Sequence, residues 1–411
     1  MKKRIVVLCL VLSALGASAA AQGKDFVIQS GVLISYNGSA SALTVPLQVT
    51  SIGEKAFYEC RTLTSITLPE GLTSIGVGAF YGCESLASVT LPLTLNSIGY
   101  GAFYECESLA SIRLPEGLAS IGEKAFYWCS TLSAVNLPST LASIGKSAFA
   151  GCEKLSAITL PEGLTSIEYA TFAECKSLSS IALPSTLRSI GDEAFYGCSG
   201  LSAVNLPTGL SSIGNWAFYE CSLSAVTLPE GLTDIGDGAF AWCRFSSIII
   251  PSSLTKIGDG AFSQCYWLSA ISFPEGLASI GVGAFYWCSS LSAVSLPEGL
   301  ASIGEKAFYG CYTLSAVNLP STLTSIGKSA FAGCEKLSTI TLPEALTGIG
   351  TSAFAYCSNL SSVTLLAQKP PALGQSAFTS GTRIFVSAAS LDTYKSASIW
   401  KNHSAQLAPL P

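Results

Sequence analysis

The 411-residue chain has one histidine, one methionine and only 11 % charged residues, against about 25 % in ordinary globular proteins. The histidine, His403, lies in the tail, so no Ser-His-Asp or Cys-His grouping can be drawn across the body of the sequence. None of the fifteen cysteines forms a C-x-x-C pair, which removes the usual zinc and redox spacings. Acid–base chemistry would fall to carboxylates. These sit mostly in variable loops such as Pro69-Glu70-Gly71, where turn solvation is the simpler reading. The Gly-Val-Gly runs at 76–78 and 281–283 lack the strand–helix setting of a phosphate loop. Basic residues are too few to suggest nucleic acid or an anionic membrane surface as partner. No apolar run after the N-terminal segment reaches membrane-spanning length. No enzyme, cofactor or metal is expected.

What the chain does have is a phenylalanine recurring fifteen times, from Phe57 to Phe378, at steps of 23 residues broken by two of 22 and a last one of 24. Such a period marks a repeat protein, each unit unable to bury its apolar side alone. In the unit beginning at Leu63, Ile66 and Leu68 alternate with Ser65 and Thr67, a short strand with one apolar face. Pro69 ends it. Leu72 and Ile75 start a second extended piece, Gly76 is read as a positive-φ residue, and Ala79-Phe80 and Cys83 point inward. Stacking such units pairs strands in parallel, and with turns about 4.8 Å apart fifteen of them span roughly 70 Å. The fold class is therefore a repeat solenoid of short parallel β-strands and turns.

The irregularities are informative. Both 22-residue steps delete one residue between Cys and the next apolar position, at Cys221-Ser222-Leu223 and Cys243-Arg244-Phe245, which places that loop on the surface outside strand pairing. Glu168 and Thr171 replace Gly and Ala of the other units, so local distortion is expected there. Residues 118–165 and 300–347 are nearly identical and lie eight repeats apart, which points to growth by block duplication.

Residues 1–21 read as a secretory signal peptide: Lys2, Lys3 and Arg4, an apolar stretch, then an Ala-Ser-Ala or Ala-Ala-Ala site. Removing it takes three of 21 basic residues away, leaving 18 against 26 acidic ones and a net charge of −8. Residues 22–42 are expected to cap the first turn as a hairpin. The array runs over 43–366, and 367–411 hold a last turn and a C-terminal cap. In that cap residues 388–400 are expected to form a helix burying Leu391, Tyr394 and Ile399 or Trp400, with no apolar anchor beyond. Export leaves the protein secreted, on the cell surface or in a periplasm.

Fourteen cysteines share one slot, three residues after each Phe. They are expected to be buried thiols acting as small apolar groups. A disulfide framework is the rival in an exported chain, but in-register stacking sets equivalent Cβ atoms about 4.8 Å apart and parallel, where a disulfide wants about 3.8 Å and converging vectors. Two faces are candidates for binding. One is the outward strand face, with Ser65, Thr67, Ser88, Thr90, Ser111, Arg113 and Asn136. The other is the turn after Ala-Phe, where Tyr58, Tyr81, Tyr104 and Tyr127 form a row joined by Trp128, whose slot Trp242 and Trp287 occupy later.

The repeat L-x-x-I-x-L-P-x-x-L-x-x-I-G-x-x-A-F-x-x-C, over residues 43–378, resembles the BspA-like, or Treponema pallidum type, leucine-rich repeat family. The resemblance implies a right-handed superhelix with a curved sheet on one side, and exported proteins of host-associated bacteria. Some of these are adhesins for matrix glycoproteins or other cells. It carries no catalytic residues to this chain. The expected partner is an extracellular protein or glycoprotein, host matrix included. The other reading is an envelope structural protein that self-associates or scaffolds envelope components.

Overall fold

The computed structural model describes residues 24–411, so the expected signal peptide at 1–21 lies outside the described residues. Two compact units make up the chain, one ending at Pro184 and the other Ser185–Pro411. Each is a β-solenoid, and one turn serves to describe both. A three-residue strand such as Ser65–Thr67 is followed by Pro69, a tight loop, a two-residue strand such as Ser74–Ile75, and an irregular turn around the phenylalanine. Successive turns pair in parallel and in register: Ser65 with Ser88 and Thr67 with Thr90 in one row, Ser74 with Ser97 and Ile75 with Ile98 in the other. In the second unit Ala293–Ser295 pairs likewise with Ala316–Asn318, and Ser302–Ile303 with Ser325–Ile326.

The register follows from burial. Leu63, Ile66, Leu72, Ile75 and Phe80 are all at most 2 % exposed, and a one-residue slip would turn each strand's apolar residue out to water. The phenylalanines stack in columns. Centroids are 4.9–5.7 Å apart in the first unit and 5.1–5.7 Å in the second.

A third hydrogen-bonded row runs through the phenylalanine turns. Lys55, Phe57 and Glu59 donate backbone N–H bonds of 2.9, 2.8 and 2.7 Å to the carbonyls of Val77, Ala79 and Tyr81 one turn on. From Phe57 to Phe354 this row requires left-handed backbone two residues before and two after the Phe: Lys55 at φ 54° and Glu59 at 52°, Gly78 at 57° and Gly82 at 69°. The positive φ is thus not at the Ile-Gly glycine. Gly76 is glycine for another reason: a Cβ there would lie 2.7 Å from the Ile52 carbonyl oxygen and 2.9 Å from the Gly53 carbonyl carbon. The backbone of the preceding turn occupies the space a side chain would need.

Glu168 puts a side chain at that slot, and the two-residue row is interrupted there: Ser143–Ile144 ends one sheet and Ser166–Ile167 begins another. The Phe149–Phe172 step, at 5.7 Å, is the widest in the first unit. Thr171, 1 % exposed, donates its hydroxyl to the Glu168 carbonyl at 2.8 Å, so its extra polar group is satisfied within the turn. The strand row is thin at the first deletion only. Ser212–Ile213 and Asp234–Ile235 keep register, but the neighbouring row shrinks to the single bridge Ala203–Ala225. The second shortened loop, Cys243-Arg244-Phe245, leads into Ser247–Ile249, which pairs in full with Ala270–Ser272.

The N-terminal cap is the expected hairpin, Phe26–Gln29 antiparallel to Val32–Tyr36, and Tyr36 continues the phenylalanine column 5.6 Å from Phe57. The C-terminal cap differs from the expected single helix. Residues Ala388–Ser390, Leu391–Ser396 and Trp400–His403 form three short helical pieces. Tyr394 and Trp400 are buried, donating to the carbonyls of Ala367 and Pro371 at 2.8 Å each, while Ile399 is exposed. The tail also has an apolar anchor: Leu407, 7 % exposed, in the strand Leu407–Pro409 paired with Arg383–Val386.

Candidate functional site

The cysteine column comes first because it could carry chemistry. Cys83, Cys106 and Cys129 are buried thiols that donate to the carbonyls of Phe57, Phe80 and Phe103 at 3.1–3.2 Å. The second unit repeats the contact, as from Cys311 to Phe285 at 3.3 Å. The Phe57 carbonyl also accepts the Cys60 N–H at 3.2 Å, so both of its lone pairs are used. Burial pushes the thiols up, Cys83 and Cys265 to about 12. They are protonated structural groups rather than nucleophiles. Sequence reading placed these thiols inward but not their acceptors.

The carboxylates are also committed to structure. Glu298 accepts from the Ser321 N–H at 3.0 Å and the Ser321 hydroxyl at 2.8 Å, and these bonds hold it below the usual carboxylate range. Glu116 grips Ser139, and Glu230 grips Ser252, in the same way. The glutamate of a Pro-Glu turn, read from the sequence as mere turn solvation, here clamps a Pro-Ser turn one repeat on. Among the described residues no group of His, Cys, Asp or Glu is placed to hold a metal ion.

The outward strand positions fall where the sequence put them. Ser65, Thr67, Ser88 and Thr90 share one three-stranded sheet, and Ser111, Arg113 and Asn136 a two-stranded one. All are exposed except half-buried Ser65. The equivalent face of the second unit is hollowed into a groove of about 850 Å³. Ser295, Asn318, Thr339 and Thr341 line it, with Glu298 and Glu344 beside them. Asn318 Nδ2 donates to Ser295 Oγ at 3.3 Å. The repeat pattern alone did not single this stretch out, since the same residue types occur along the whole face.

The tyrosine row forms as a stack. Tyr58, Tyr81, Tyr104 and Tyr127 stack 5.1, 4.6 and 4.8 Å apart, with Trp128 edge-on to Tyr127. Stacked rings cover each other's faces, so the row presents phenol edges. Burial and the neighbouring Tyr81 push Tyr104 up to about 12.

Four of the six tryptophans occupy left-handed backbone: Trp128 at φ 56°, Trp216 at 52°, Trp242 at 65° and Trp287 at 59°. A bulky residue there carries strain of about 1–3 kcal/mol, where glycine carries none. Three of them lie over a glycine of the next turn. A Cβ on Gly151 would meet Trp128 at 2.9 Å, one on Gly310 would meet Trp287 at 3.0 Å, and one on Gly238 would strike Trp216. In the second unit Trp242 meets Tyr266 edge-on at 5.5 Å, and Tyr266 meets Trp267 at 6.2 Å. The Arg244 guanidinium stands 5.5 Å from the Trp267 ring centre. Trp287 meets Tyr312 edge-on at 5.6 Å, and its buried Nε1 has no protein partner, a cost of about 1–3 kcal/mol. Tyr266 and Trp267 were missed in the sequence because they follow the cysteine rather than the phenylalanine, where an aromatic returns only once, as Tyr312.

The family model described as BspA type leucine rich repeat region (6 copies) matches residues 34–133, 119–243, 190–292 and 278–390. A leucine-rich repeat protein from Bacteroides ovatus is 30 % identical, with 88 % of this chain and 99 % of that one covered and a TM-score of 0.75. A leucine rich repeat protein from T. pallidum is 33 % identical over 44 % of this chain and 89 % of its own, TM-score 0.42. A leucine rich cell surface protein from Faecalibacterium prausnitzii is 26 % identical over 83 % and 92 %, TM-score 0.47. Comparison with curated proteins finds no match. With the repeat, the parallel solenoid turns and the family model in agreement over most of its length, the chain belongs to the BspA type leucine-rich repeat family.

Proposed function

We propose that the chain is an exported, non-enzymatic recognition scaffold that binds an extracellular protein or glycoprotein in adhesion to host matrix or to other cells. The observation that carries this reading is the polar groove on the second unit's strand face, rich in hydroxyls and an amide and open to a macromolecule. Catalysis finds no support in the titratable groups: the thiols sit protonated in the core, and His403 shares a 2.6 Å contact with Gln406 in the tail. Export rests on the N-terminal residues 1–21 as read from the sequence.

Asn318→Lys and Thr341→Lys place long cations in the groove without touching the core. Solid-phase binding to a panel of purified matrix glycoproteins should fall at least tenfold for both variants, with thermal melts unchanged. Unchanged binding in both removes the groove as the contact. Concentration-dependent self-association of the wild type, with no glycoprotein bound, would favour an envelope scaffold instead.

A further inference from the structure

Three places along the chain set an Asn or Asp side chain directly before a glycine, where the glycine's backbone nitrogen can attack the side-chain carbonyl carbon. Asn37-Gly38 is one, the single asparagine of eight that glycine follows; Asp237-Gly238 and Asp259-Gly260 are the others. The two aspartates are locked. The Gly238 and Gly260 N–H groups donate to the carbonyls of Asp259 and Val282 one turn on, at 2.8 Å each. The Asp237 and Asp259 carboxylates accept the backbone N–H of the same two residues, also at 2.8 Å. Attacking nitrogen and carboxyl carbon are therefore both tied to the next turn.

Asn37 differs on both counts. It is exposed and lies just past the strand Val32–Tyr36 of the N-terminal cap. Its backbone N–H donates to the Asp25 carbonyl at 2.9 Å, while the Gly38 N–H has no hydrogen-bond partner among the described residues. Packing demands glycine at 38, because a Cβ there would strike the Tyr36 hydroxyl and fall 2.6 Å from Asp25 Oδ2. The position cannot acquire a side chain that would shield the amide.

We propose that Asn37 is a site of spontaneous deamidation, by which the N-terminal cap gains negative charge and loosens as the protein ages. The Gly38 nitrogen bonds to Asn37 Cγ and gives up its proton to solvent. The Cγ–Nδ2 bond breaks and ammonia leaves, closing a five-membered imide. Water opens that ring at either carbonyl, so residue 37 becomes aspartate, or isoaspartate with the backbone rerouted through the side chain. Water is the sole co-reactant. The other seven asparagines precede Ser, Leu, Trp or His, whose side chains hinder the same attack.

The cap is a sensitive place for this change. Phe26 pairs with Tyr36, so residue 37 stands opposite Asp25, and either product sets two carboxylates across the hairpin. Like charges directly opposite destabilise a pair. Isoaspartate also lengthens the backbone between Tyr36 and Ala40, whose N–H donates to the Tyr36 hydroxyl at 3.0 Å. Tyr36 is the ring that continues the phenylalanine column above Phe57. The inference is independent of the groove reading.

The test is to age the purified folded protein in buffers of rising pH and follow it by peptide mass mapping with isoaspartyl methyltransferase labelling. Asn37 should convert at least tenfold faster than any other asparagine, and faster as pH rises, because the attacking species is the deprotonated amide. Asp237 and Asp259 should accumulate isoaspartate only after unfolding in urea. In the aged protein the Tyr36 amide, bonded to the Ala56 carbonyl at 2.9 Å, should exchange hydrogen several-fold faster than in fresh protein. Asn37→Gln, whose attack needs a six-membered ring, should age without either change. The proposal falls if Asn37 in the folded protein turns over no faster than Asn96 or Asn402. It falls also if the converted cap exchanges Tyr36 as slowly as the fresh one, or if Asn37→Gln loosens equally with age.

Discussion

Two glycines two residues apart give the sharpest test of why this backbone closes as it does. Gly348 begins a two-residue strand, and a Cβ there meets nothing within 4 Å; its φ is not positive. Gly350 holds the Ile-Gly slot, and a Cβ there would fall 2.5 Å from Lys328 N, 2.6 Å from the Gly327 carbonyl carbon and 2.8 Å from its oxygen. All three atoms are backbone and belong to a hydrogen-bonded turn, so no side-chain rotation relieves the clash. Gly348→Ala removes unfolded-state freedom at no native cost and should stabilise by about 0.4–1 kcal/mol. Gly350→Ala should destabilise by about 1–3 kcal/mol, the usual range for overpacking, and widen the Phe331–Phe354 step beyond its present 5.4 Å. Glu168 is a natural instance, tolerated with the two-residue strand row interrupted between Ser143–Ile144 and Ser166–Ile167. The assay is urea unfolding, with hydrogen exchange of the amides from Ile326 to Phe354 reporting local opening. Equal effects from the two substitutions, or a stabilising Gly350→Ala, would refute the account of the slot.

The Glu–Ser clamps predict a pH dependence of definite sign. Glu298 has a depressed folded pKa, so its contribution is present above the ordinary carboxylate pKa and is lost as pH falls through the folded value. Glu298→Gln should flatten the acid limb of a stability–pH curve, and an unchanged limb would show the clamp to be idle. The thiol column predicts that a chain starting at residue 22 exposes one readily modified thiol, half-buried Cys60, when folded and all fourteen when unfolded. Several fast-reacting thiols in the folded protein would contradict the buried column.

The fold was legible because a 23-residue period exposes columns: Leu, Ile, Phe and Cys each recur, and a column that never tolerates polarity must face inward. What the period hides is backbone conformation. The left-handed slots around each phenylalanine hold Lys55, Glu59, Ser147 or Trp242 as readily as Gly78, so one copy shows no glycine signature, while the invariant-looking Gly76 is set by a close approach between turns. Contacts between neighbouring repeats were likewise illegible. Glu116 and Ser139 look like unrelated loop residues until the turns are stacked. Leu407 was overlooked because a three-residue strand at a chain end has no period to announce it. On the surface, the tyrosine row could be read as a row but not as a stack with hidden faces. The Trp267 cluster breaks the repeat and so carried no periodic signal.

The central claim is recognition outside the cell, and the most direct measurement is protease and antibody access to the protein on intact producing cells, with a periplasmic marker as control. The account predicts that the protein is labelled and shaved while the marker stays protected. Protection of both until the envelope is broken would contradict it and move the partner to the envelope.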